Sequence, residues 1–127
     1  MKKNTKITLA ELIARKEQML EGKKKPKTAQ LYVKSLDGNI TITCPDKALI
    51  DDVFSGEDDM DAYLLYQCIT EPCLKDTNLH KEFGCVEPTE IVEMLFNQGE
   101  VKMISKEIIK LAGYYGDSVK VVEDLKN

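Results

Sequence analysis

An α+β domain, mainly α-helical with an N-terminal β-hairpin packed on a helical bundle, is what this sequence predicts. Three observations predict it. Asp37-Gly38 lies between two runs in which apolar and polar residues alternate, a hairpin signal. From Tyr63 to Gly113, apolar residues recur at helical spacing between Pro and Gly breaks. The 127 residues are 43% hydrophobic and 31% charged, the balance of an ordinary globular domain long enough to bury a core.

Residues 1 to 28 read as a flexible, Lys-rich arm carrying one short helix. Eight lysines (Lys2, Lys3, Lys6, Lys16, Lys23, Lys24, Lys25, Lys27) and Arg15 face only Glu11, Glu17 and Glu21. Thr8 with Glu11 fits a capping box, and Leu9, Leu12, Ile13 and Leu20 follow with helical period. Lys16 sits in the middle of that stripe, and Gly22 is expected to stop the helix before Pro26. The compact domain is expected over residues 29 to 113. Its hairpin spans 30 to 44, with Leu31, Val33, Ile40 and Ile42 on the face that packs against helices.

Helices are expected at about 46–54, 59–70, 77–83, 88–97 and 100–112. Asp46 caps the first, which Ser55-Gly56 ends; the acidic run Glu57-Asp58-Asp59 favours the start of the second. Pro72 terminates the second helix and Asp76 or Thr77 caps the third, closed by Gly84. Pro88 suits the first turn of the fourth, with Gly99 at its end, and Glu100 opens the fifth. Residues 114 to 127 lose clear periodicity and form a tail that is a strand, a loose helix or disordered.

Composition also weighs against several function classes. A net charge of −4 with a single arginine argues against nucleic-acid binding, which rests on a basic surface and on Arg for base readout. The longest apolar run, residues 62 to 66, is far short of a membrane span, and the N-terminus lacks the apolar core of a secretory signal. Cys44, Cys68, Cys73 and Cys85 include no CxxC pair and share only His80, so no metal site is expected. Cys68 and Cys73 fall among apolar residues and read as reduced core thiols. No Gly-rich phosphate loop and no GxSxG occur, and neither the Asp58-Asp59-Asp61 cluster nor a His80–Cys85 pair makes a convincing catalytic set. No catalysis and no cofactor are expected.

The 59–70 helix is the most apolar in the chain. Ala62, Leu65, Tyr66 and Ile69 make one stripe; Met60, Tyr63, Leu64 and Cys68 make a second, broken by Gln67. A helix apolar on two faces is either sandwiched in the core or presents one face to a partner. The expected partner face is Met60, Tyr63 and Leu64. Lys102, Lys106 and Lys110 form a basic stripe on the last helix, either solvated or a docking face for an acidic partner. Spare apolar surface further predicts self-association into a homo-oligomer.

The order of these features resembles the XkdN-like tail assembly chaperones of contractile-tailed phages and defective prophages. The residues that carry it begin with a Tyr-Leu helix ending Cys68-Ile69-x-x-Pro72, then Leu74-x-Asp76, Leu79 and Phe83-Gly84. Glu87-Pro88 precedes an Ile91-Val92-x-x-Leu95 helix, followed by Gly99-Glu100 and an Ile108-x-x-Leu111-x-Gly113 close. Two features depart from the pattern, the Lys-rich arm and Glu71 before Pro72. The resemblance implies a non-enzymatic chaperone in the host bacterial cytoplasm, absent from or minor in the virion. It would bind the tape measure protein, with the tail tube protein as a second partner, and assist tail-tube polymerisation. It also implies a longer frameshifted product, for which Leu125-Lys126-Asn127 offers a compatible ending. Two rivals stay open: a structural tail or baseplate component, and a small nucleic-acid-binding regulator.

Overall fold

The computed structural model describes residues 6–56 and 58–122, so the Leu125-Lys126-Asn127 ending lies outside the described residues. The chain divides into two units, one formed by residues 27–116 and the other by the remainder. The fold is α+β and mainly helical, with seven helices and one three-stranded antiparallel sheet among the described residues.

In the smaller unit, the single helix expected after Thr8 is two, α1 (Leu9–Ala14) and α2 (Lys16–Lys24), separated at Arg15. Thr8 does form the capping box: the Glu11 amide donates to its Oγ1 over 3.2 Å, and its own amide donates to the Glu11 carboxylate over 3.3 Å. Gly22 lies inside α2 rather than ending it. The stop comes from Pro26, whose ring drives the preceding Lys25 into extended backbone, φ −91° and ψ 120°. Every described residue of both helices is exposed.

The hairpin pairs β1 (Thr28–Val33) with β2 (Gly38–Thr43), Leu31 opposite Ile40 and Ala29 opposite Ile42. Its connection is longer than the two-residue turn that Asp-Gly suggests. Lys34–Leu36 make a 3₁₀ turn, and Asp37 takes the left-handed conformation at φ 46°. Aspartate tolerates that region, and the Tyr32 hydroxyl donates to its carboxylate over 2.8 Å. Gly38 is then free to begin β2.

A third strand, β3 (Ile69–Glu71), lies where the sequence suggests the end of a helix. It pairs antiparallel with β2, with a register shift between Thr41 and Ile42, so the sheet order is β1-β2-β3. Helix α4 therefore stops at Cys68 (Asp61–Cys68). Two local preferences explain the switch: Ile69 and Thr70 are β-branched, and Glu71 precedes Pro72, which excludes it from helix.

The remaining helices are α3 (Lys47–Ser55), α5 (Thr77–Glu82), α6 (Glu90–Leu95) and α7 (Gln98–Leu111). Asp46 and Asp76 cap α3 and α5 through the amides of Leu49 and Leu79, at 2.8 and 2.9 Å. Gly84, at φ 69°, turns the chain after α5. Pro88 lies before α6 rather than in its first helical turn, and the Glu90 carboxylate instead collects the amides of Val86 and Glu87. Gly99 falls inside α7, because Asn97 and Glu100 form a capping box that starts the helix earlier than expected. Residues 114 to 119 form turns and bends, and residues 114 to 122 are exposed.

The core lies between one sheet face and the helices. Val33, Ile40, Ile42 and Ile69 from the sheet meet Leu64, Leu65 and Cys68 of α4, Ile91, Val92 and Phe96, and Ile104, Ile108 and Ile109 of α7. The face expected from the hairpin thus packs on helices, with Leu31 half-buried at its margin. A polar strap joins hairpin to bundle: the Ser35 hydroxyl donates to Glu100 over 2.8 Å. Cys73, expected in the core, is exposed; the turn after Pro72 sends Leu74 inward in its place. Cys68 is buried, and burial pushes its thiol up to about 11.

Candidate functional site

Helix α4 packs by a register that its apolar residues alone do not show. Asp61, Leu64, Leu65 and Cys68 stand at i, i+3, i+4 and i+7, and the last three are essentially inaccessible. Asp61 occupies the first place on this inward face, with its side chain only 18% exposed. It is accommodated because α7 supplies partners. The buried Ser105 hydroxyl donates to its Oδ1 over 2.8 Å, and Lys102 Nζ donates to its Oδ2 over 2.5 Å. Lys102 also reaches Asp59 at 3.2 Å, while Asp59 accepts the Asp61 backbone N–H at 2.9 Å and so caps the helix start.

This network fixes the charges. The Asp61 backbone N–H, then the Lys102 ammonium, hold the Asp59 carboxyl below its ordinary 3.8. The bond to Asp61, then that to Asp59, raises Lys102 above its ordinary 10.5. The acidic cluster is thus partly a cap, as expected, and partly a clamp between α4 and α7.

The expected partner residues divide among different places. Leu64 is fully buried and cannot meet a partner without unfolding; this corrects its assignment to the exposed stripe. The physical reason is that the core seam runs between the two stripes and takes Leu65 from one and Leu64 with Cys68 from the other. Tyr63 is 41% exposed. At roughly 100° per residue it lies about 200° around α4 from Asp61, on the outer side. Met60, at the helix start, is half-buried. Lys102 is held by the two aspartates, and Lys110 lies 3.5 Å from Glu107 on its own helix. Lys106 is exposed. Tyr63 and Lys102 therefore belong to opposite sides of α4 rather than to one patch.

A groove of about 710 Å³ opens between the start of α4, the end of α6 and the start of α7. Ala62, Phe96 and Val101 line its apolar part, and Asp59, Asp61, Glu93 and Lys102 its polar part. Sequence reasoning missed it, because Glu93 carried no signal of its own and the aspartates read as a simple cap. The polar first position of the 61-64-65-68 stripe was the available clue.

Other chemistry is not assembled among the described residues. The His80 ring is 2.5 Å from the Leu74 carbonyl, and Cys85 Sγ is 3.7 Å from Met94 Sδ, so each has its own local partner. Among the described residues, no three His, Cys, Asp or Glu side chains converge as a metal site would require. Among the described residues, no helix is long and apolar enough to cross a membrane. What the geometry offers is surface: an outward aromatic on α4 and an acidic groove behind it.

Compared with known proteins, residues 51–126 match the family model described as phage XkdN-like tail assembly chaperone protein. No curated protein and no solved structure matches the chain.

Proposed function

Because the chain belongs to the phage XkdN-like tail assembly chaperone family, we propose that it serves tail assembly by binding the tape measure protein and assisting tail-tube polymerisation around it. It does so as a non-enzymatic factor in the host bacterial cytoplasm and is absent from, or minor in, the finished particle. The tube protein is a second partner on this reading.

The observation that carries the reading is the exposure of Tyr63 on the core helix of the family-matched region. A long helical partner that is not yet sheathed exposes apolar stripes, and an aromatic with a polar tip covers such surface while tolerating water. Met60 flanks Tyr63 one helical turn earlier, and Lys106 and Lys110 offer cations on α7 for acidic positions of the partner. Lys102 contributes by holding α4 in place through Asp59 and Asp61.

Deleting the gene from the phage and imaging the lysate by electron microscopy tests this. Tails should be missing, restored by wild-type protein supplied in trans and not by Tyr63→Asp. Normal tails without the gene would contradict the proposal, and high copy number in purified particles would favour a structural component.

A further inference from the structure

We propose that the N-terminal arm of one copy docks, through the apolar face of α1 and α2, into the acidic groove of a second copy. The arm carries an exposed apolar face: Leu9 is 78% exposed, Ile13 71% and Leu20 56%. Such a face is strongly biased toward burial against something.

Charge decides what covers it. Residues 1 to 28 hold nine Lys or Arg against three Glu, whereas the remaining residues hold nine against nineteen Asp or Glu. One chain thus contains a basic arm, net +6, and an acidic remainder, net −10. The bodies of other copies are the complementary surface that the arm always has near it. Attraction of this kind also raises the encounter rate.

The fit is more specific than net charge. Lys16 interrupts the arm's apolar stripe, so a purely apolar cover would strand its ammonium away from water. The groove between α4, α6 and α7 matches that pattern, with Ala62 and Val101 half-buried below a rim that includes Glu93. Asp59 and Asp61 on the same rim are shared with Lys102. Glu93 is exposed, and among the described residues no hydrogen bond or ion pair engages it, which leaves it to receive Lys16. Each copy has one arm and one groove, so the contact closes into a reciprocal dimer or continues as a chain.

The test uses the full-length protein alone, with no tail protein present, so its result is independent of tape-measure binding. Mass is measured by light scattering and sedimentation over a wide concentration range, at low and at about 0.5 M salt. The expected result is concentration-dependent association that weakens with salt. Lys16→Glu and Glu93→Lys should each raise the dissociation constant about tenfold or more, and combining them should restore it to within about threefold of wild type. Circular dichroism checks that each variant is folded. A monomer at every concentration overturns the proposal, as does association that ignores either single reversal or that the double variant fails to recover.

Discussion

Asp61 occupies a position where a helix facing the core ordinarily carries an apolar side chain, and its environment explains how it stays there. Ser105 and Lys102 satisfy the carboxylate from α7, so the pair of helices is registered by a polar clamp as well as by packing. Ser105→Ala should destabilise the fold by about 1–3 kcal/mol, since the half-buried carboxylate loses a donor. Leu64→Ala should cost about 2–5 kcal/mol by opening a cavity in the core. Tyr63→Asp, one residue away but outward, should change stability by no more than about 0.5 kcal/mol. Urea titration of the three variants checks the order, and a large loss for Tyr63→Asp would return that side chain to the core.

Glu100 gives a pH signature at the same scale. The Asn97 amide, then the Ser35 hydroxyl, hold its carboxyl below its ordinary 4.5. A carboxyl depressed on folding contributes stability that is present above its unfolded pKa and lost as pH falls through the folded one. Asp59 acts in the same direction below its ordinary 3.8. The melting temperature should therefore fall as pH drops below about 4.5. Glu100→Gln should flatten the upper part of that fall; an unchanged pH profile would show that the Ser35–Glu100–Asn97 bonds add nothing.

At the scale of elements, stability is unevenly spread. Helices α1 and α2 bury no residue, and pieces this short are marginal without tertiary support. In dilute solution their amides should exchange with deuterium almost as fast as an unfolded peptide's. Those of β2, paired on both sides, and of the buried face of α7 should exchange only with global unfolding. Slow exchange in α1 at low concentration would mean that the arm has a cover within its own chain. The same elements show what the sequence could reveal. Caps were legible at Thr8, Asp46 and Asp76 because the signal is local, a short polar side chain before a periodic run. The hairpin was legible from Asp37-Gly38, but its turn length was not, since the 3₁₀ turn at Lys34–Leu36 has no strong residue preference. Strand β3 was hidden by length: three residues cannot display a period, although pre-proline restriction at Glu71 pointed to it.

For the whole molecule, the site was legible only in part. Tyr63 stands outside the core as expected, whereas Leu64 was placed on the wrong side because a charged residue, Asp61, begins the true core stripe and only a tertiary partner can reveal that. The groove brings α4 against α6 and α7, with Lys102 41 residues beyond Asp61, and so left no local pattern. The body that results is an acidic helical domain with an outward aromatic and no assembled catalytic or metal chemistry among the described residues. Such a body is in keeping with the tail assembly chaperone family to which the chain belongs.

The most direct test of that role is co-expression of the full chain with the phage's tape measure protein, followed by measurement of the soluble tape measure fraction and of any complex on gel filtration. The proposal predicts that the tape measure protein is soluble and co-elutes with the wild-type chain, and that Tyr63→Asp, equally folded, loses both effects. A tape measure protein that is equally soluble alone, or that never co-elutes with the chain, would contradict it.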